Sequence, residues 1–176
     1  LELAAVGTVA DIVPLYDENR IIVSEGFKRM KHPANMGLGK LLESAGYDFK
    51  RKITSGFIGF GLAPRLNAGG RMGDAKRGVR LFTTREEEEA AAIAAELEVE
   101  NNHRKETEQM ILKQVTDRIE ASAAIRNSRV MVVADTGWHH GVIGIVSSRI
   151  KDMFYRPNIL LSIENGVATG SARSID

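Results

Sequence analysis

Apolar positions along the chain change their spacing twice, and each change marks a different kind of element. The opening stretch, Leu1 to Pro14, is apolar enough to belong in a core. Up to about Phe82 the pattern predicts short helices joined by Gly- and Pro-containing connections. Asn19 is placed to cap a helix from Arg20 to Met30, and Asn35 one that ends at Gly46. Thr54 or Ser55 can start another, with Phe57, Ile58 and Leu62 as a partial apolar face. The stretch from Ala63 to Gly73 holds three glycines and a proline, with Arg65, Asn67 and Arg71 between them. That composition predicts a tight turn between helices.

A long helix follows. Thr84 with Glu87 three residues on has the form of a capping box, and Glu86 to Glu89 put negative charge at the positive helix end. No Gly or Pro occurs between Thr84 and Arg126. Ile93 and Leu97 form one apolar patch, and Ile111, Val115 and Ile119 another. From Glu100 to Gln109 there is no apolar side chain, which predicts a helix that bridges two domains rather than packing into a core there. Pairs such as Glu100 with Arg104, and Arg104 with Glu108, lend i,i+4 support. From Arg85 to Glu120 such a helix would be roughly 54 Å long. A coiled-coil arm is the competing reading, and the long break in the apolar seam argues against it.

Strand and helix patterns then alternate. Val130 to Ala134 is a continuous apolar run, predicting a strand buried on both faces. Val142, Val146, Ile150 and Phe154 line one side of a helix. Ile159 to Ile163 reads as a second strand, Asn165-Gly166 as a favoured hairpin turn, and Val167 onward as a third strand. The expected fold class is therefore α/β: a mainly helical first part, a long connector helix and a small α/β domain at the C-terminal end. The expected boundaries are 1–82, 83–126 and 127–176. Leu1 in place of Met, and a strand at the other end, lead to the expectation that this is a piece of a longer protein.

Composition adjusts this picture only at the margins. No apolar run among the 176 residues approaches the roughly 20 a membrane helix needs. The absence of cysteine excludes disulfides and thiolate metal sites. Twenty-four basic residues stand against 23 acidic ones, a net charge of +1. Such a balance indicates nucleic-acid binding only if the charges are segregated in space.

Four places carry candidate chemistry. Gly137 to Val142 joins a strand to a helix, where free N–H groups and the helix dipole suit an anion and Gly141 permits close approach. His139 and His140 there also raise metal ligation, although adjacent side chains rarely point the same way. Ser171 and Arg173 share one face of the third strand, and a hydroxyl beside a guanidinium suits a phosphate. An ordinary solvent-facing strand is the alternative. Asp11 is a carboxylate in an apolar segment, needing a cation, a hydrogen-bond partner or a surface position. Arg65, Asn67 and Arg71 suit phosphates, or equally a turn salt-bridged to its neighbours.

Taken together and in order, AAVGTVADIVPL, LAPRLNAGGRMGDA, the long helix, GWHHGVIGIVSSR and GSARS resemble the RecJ family of the DHH phosphoesterase superfamily across essentially the whole chain. The resemblance implies that residues 1–82 are the C-terminal part of a DHH catalytic domain. It makes 83–126 the connector helix and 127–176 the start of the DHH-associated substrate-binding domain, here truncated. It implies a single-stranded-DNA-specific 5′–3′ exonuclease of DNA repair and recombination, cytoplasmic and monomeric, using Mn²⁺ or Mg²⁺. Asp11 would be a metal ligand and catalytic residue. Arg65, Asn67, Arg71, His139, Gly141, Ser171 and Arg173 would bind substrate. The implied partner is single-stranded DNA, with other DNA-repair proteins as further candidates and no membrane.

The departures from the family pattern set limits. The family's earlier aspartate motif and its Asp-His-His motif are absent, so the chain alone is expected to be inactive. Gly69 stands where Ala is expected and Ala172 where Gly is common, both small changes. Two alternatives remain open. One is another phosphodiesterase of the superfamily, acting on oligoribonucleotides or cyclic dinucleotides, against which the long connector argues. The other is a non-catalytic nucleic-acid-binding module.

Overall fold

A computed structural model describes residues Leu1–Asp176. The chain divides into two compact units, Leu1–Asn102 and His103–Asp176. The first is helical: α1 (Glu2–Ala10), α2 (Asp17–Arg29), α3 (Met36–Ser44), a π-helical stretch (Phe57–Leu62), α4 (Ala63–Met72), α5 (Lys76–Thr83) and the first half of α6 (Glu87–Ala121). Its core gathers Ala5, Val23, Met30, Leu38, Leu41, Ile58, Leu62, Leu81, Ile93 and Leu97. Asn35 caps α3 as its sequence predicts, accepting from the Leu38 N–H at 2.9 Å. Thr54 does the same for the Phe57 N–H at 3.1 Å.

Three local expectations fail here. Asn19 does not cap α2: that helix begins at Asp17, and the Asn19 amide donates back to the Pro14 carbonyl at 3.1 Å. Thr84 and Glu87 form no capping box. The Thr84 hydroxyl accepts from the Glu86 N–H at 3.2 Å and donates to Glu89, while Glu87 reaches Lys40 at 2.7 Å. Ala63 to Gly73 is not a tight turn: Ala63–Met72 is helix α4, continuous with the π-helical stretch before it, with Pro64 at their junction and Gly73 just past its end. One of its glycines serves packing. Gly69 is buried, and a Cβ there would lie 3.0 Å from Leu97 Cδ2.

α6 runs unbroken for 35 residues, and the two units divide inside it rather than at its ends. Each half is part of one unit's core, with Ile93 and Leu97 buried in the first and Ile111, Val115 and Ile119 in the second. The stretch without apolar side chains is not solvated on all sides: Asn101, Arg104 and Glu108 are buried. Glu108 satisfies its charge by accepting from Arg104 at 2.6 Å and from Arg149 at 2.9 Å. Ion pairs can thus carry a polar helix face into a buried setting.

In the second unit α6 is followed by α7 (Ala123–Arg126), β1 (Met131–Thr136), α8 (His140–Phe154), β2 (Asn158–Glu164) and β3 (Val167–Arg173). The sheet order is β1-β2-β3, with β1 parallel to β2 and β3 antiparallel to it. The parallel pair needs a crossover, and α8 supplies it. Asn165 and Gly166, at φ 52° and 77°, make the tight β2–β3 turn that their sequence predicts. β1 is not buried on both faces. Met131 and Val133 are buried while Val132 is 48% exposed, the alternation of a strand with one face covered.

Candidate nucleic-acid interface

β3 presents Ser171 and Arg173 to α8, as strand alternation predicts. A Cβ at Gly144 of α8 would meet the Ser171 hydroxyl at 3.4 Å and an Arg173 nitrogen at 3.8 Å. The absence of a side chain at Gly144 therefore lets strand and helix approach closely. Arg173 donates its Nε–H to the Ser148 hydroxyl at 3.0 Å and one Nη1–H to the Ala172 carbonyl at 2.8 Å. Ser148 in turn donates to the Gly144 carbonyl at 3.2 Å. The guanidinium is oriented by neutral oxygens, and its positive charge is not cancelled by an ion pair. Sequence reading missed Ser148, although its place one turn after Gly144 on the same helix face is the signal for it.

A buried polar pair holds this face from behind. Ser147 donates to the Asn158 side chain at 2.8 Å, and the Asn158 amide donates to the Ser147 carbonyl at 3.0 Å. Asn158 is paired in register with Arg173 across the sheet. Together these bonds fix α8, β2 and β3 as one frame.

The start of α8 differs from expectation. Its first N–H groups are not free donors. His139 is the cap: its Nδ1 accepts from the Gly141 N–H at 3.1 Å, and its carbonyl takes Val142 at 2.9 Å and Ile143 at 3.2 Å. The His139 and His140 rings stack 5.0 Å apart, with Gly137, Trp138, Ser162 and Glu164 lining the same cavity of about 330 Å³. Burial holds His139 below the usual histidine range, and the charges of His140 and His103 add to this while Glu164 opposes it. A neutral Nδ1 is what the cap requires. Glu164 lines the same cavity and places a carboxylate beside this junction.

The first unit distributes its candidates more widely. Arg65 is drawn inward, donating to Glu98 and to the Gly61 carbonyl at 2.5 Å. Asn67 and Arg71 lie one turn apart and exposed on α4. Arg65 is thus separated from the pair it was expected to join. Asp11 ends α1, exposed at the negative end of the helix dipole, where a carboxylate is disfavoured unless a cation is near. Ile12 beside it is 89% exposed at φ 55°, a strained conformation for a β-branched residue. No group of three or more His, Asp or Glu side chains able to hold a metal ion occurs in the chain. Asp11 fits one ligand of a metal site and no more.

The fold is mixed α/β, and its β3–α8 surface presents an arginine held by neutral oxygens. No protein-family model matches the sequence. Among curated proteins, the single-stranded-DNA-specific exonuclease RecJ of Bacillus subtilis is 43% identical over 99% of this chain. That of Escherichia coli is 39% identical over 99%. Crystal structures agree: RecJ from Thermus thermophilus in complex with Mg²⁺ gives a TM-score of 0.83 at 36% identity, covering 99% of this chain and 26% of its own. A manganese-bound exonuclease RecJ gives 0.85 at 34% identity, covering 99% of this chain and 43% of its own. Along nearly its whole length the chain matches part of these RecJ exonucleases. It spans 22% of the Bacillus protein and 31% of the Escherichia one.

Proposed function

We propose that this chain belongs to a single-stranded-DNA-specific 5′–3′ exonuclease of DNA repair and recombination, with Mn²⁺ or Mg²⁺ as its cofactor and the cytoplasm as its place of action. The observation that carries the reading is the Ser171–Arg173 face of β3: a guanidinium held by neutral partners, in a chain matched nearly end to end by RecJ exonucleases. In this reading the strand–helix face of the second unit binds DNA phosphates. Asn67 and Arg71 offer further donors from α4, while Arg65 acts through its ion pair as a structural residue. His139 and Gly141 shape the start of α8. Asp11 contributes one carboxylate to the metal site, its exposed position at a helix end supporting that role. The bound metal would supply an activated water for phosphodiester hydrolysis.

The chain alone is then catalytically inactive, because one carboxylate cannot hold the ions this chemistry needs. Incubation with 5′-phosphorylated single-stranded DNA and Mn²⁺ should release no mononucleotides. Release that disappears with Asp11→Ala would overturn the assignment of Asp11 as a lone ligand. The reading itself is tested by binding. Arg173→Ala should weaken association with single-stranded DNA equally for all sequences and make the salt dependence shallower, measured by fluorescence anisotropy. Unchanged affinity and slope would mean that β3 only packs.

A further inference from the structure

The first unit also holds a concave site between α2 and the segment before the π-helical stretch. Lys28 and Lys31 on and just after α2, and Lys52 before the π-helical stretch, rim a cavity of about 430 Å³ whose floor is Phe27 and Ile53. Ile53 is buried and Phe27 half-buried, so the floor is fixed by the core beneath it. Lys28 is partly neutralised by Glu25 at 2.5 Å, but Lys31 and Lys52 are exposed with no acidic side chain at ion-pair distance. Lys50 and Arg51 extend the basic run, and only Arg51 meets a carboxylate, Asp48 at 3.7 Å. Five cations against two acids here contrast with 24 against 23 in the whole chain. The charge is segregated, as nucleic-acid binding requires.

We infer that this cavity is a second contact for single-stranded nucleic acid, taking one unstacked base against Phe27 and Ile53 while Lys31 and Lys52 hold the flanking phosphates. An apolar floor with a cationic rim matches the two faces of a single strand, since every base has a stacking surface and every linkage a negative charge. A duplex keeps its bases inside the helix and offers the floor nothing. An acidic peptide would satisfy the rim but has no obligatory flat apolar group for the floor. The inference rests on the proposed function in taking the strand to be DNA.

The test is anisotropy titration of this chain with a fluorescein-labelled oligo(dT) at several salt concentrations. Lys31→Ala with Lys52→Ala should weaken binding about tenfold at low salt and reduce the salt slope by roughly 1.4, about 0.7 for each phosphate released. Both lysines are exposed, so the thermal midpoint should not move. An abasic strand of equal length should bind the unsubstituted chain several-fold more weakly. Unchanged affinity and slope in the double variant overturn the inference. Equal binding of the abasic strand, or full displacement of oligo(dT) by polyglutamate, also overturns it, the latter in favour of an acidic protein partner. Arg173→Ala is run beside it: weakening there but not in the double variant sinks this site alone, and the reverse sinks the reading of the Ser171–Arg173 face.

Discussion

Arg65 on α4 has a side chain only 12% exposed and gives its Nε–H to Glu98, a residue on another helix whose own side chain is 27% exposed. Arg173 on β3 is exposed and gives its Nε–H to a serine hydroxyl. The first guanidinium is neutralised where it lies, so a phosphate could reach it only by displacing a carboxylate. The second keeps its full charge, pre-oriented by weak neutral bonds that cost little to exchange. A planar fork of donors recognises phosphate only when no carboxylate already fills it. What separates an arginine tied into the fold from one left open to a ligand is therefore the partner, not the residue.

The largest expected effect breaks the first arm of that contrast. Arg65→Ala leaves Glu98 partly buried without its cation and should destabilise the chain by about 2 kcal/mol, read by urea denaturation. A loss within about 0.5 kcal/mol, the range of ordinary surface changes, would make Arg65 as available as Arg173. Arg173→Ala should leave the denaturation midpoint in place and weaken single-strand binding by about 1 kcal/mol, with a salt slope shallower by roughly 0.7. Ser171→Ala should cost roughly half of that, since a neutral hydroxyl contributes one uncharged hydrogen bond. A larger loss for Ser171→Ala than for Arg173→Ala would place the recognition in the hydroxyl instead.

The smallest effect concerns the cap of α8. The lowered pKa of His139 means that the unfolded chain takes up the proton before the folded one does. Its contribution to stability is then complete above the unfolded histidine value of about 6.5 and is lost as pH falls through that value toward the folded one. His139→Asn, which can still cap, should flatten this part of the stability–pH curve. An unaltered curve between about pH 7 and 5 would show that the neutral ring contributes nothing.

Sequence alone determined the features whose cause lies within a few residues. Asn35 three residues before Leu38 is a cap, and 35 residues without a breaker make α6. Asn165-Gly166 makes the hairpin turn, and alternation sets Ser171 and Arg173 on one face. Tertiary structure decided what depends on partners far along the chain. The glycines of α4 read locally as a turn, yet Gly69 serves the close approach of Leu97, 28 positions away. Arg65 finds Glu98 across 33 positions, and Glu108 finds Arg149 across 41. Lys28 and Lys31 meet Lys52 only because α2 and the segment before the π-helical stretch line one cavity. Local rules follow from backbone geometry over one or two turns and can be read from spacing. Charge pairing and close packing depend on which surfaces the fold brings together, and no spacing within the chain encodes that.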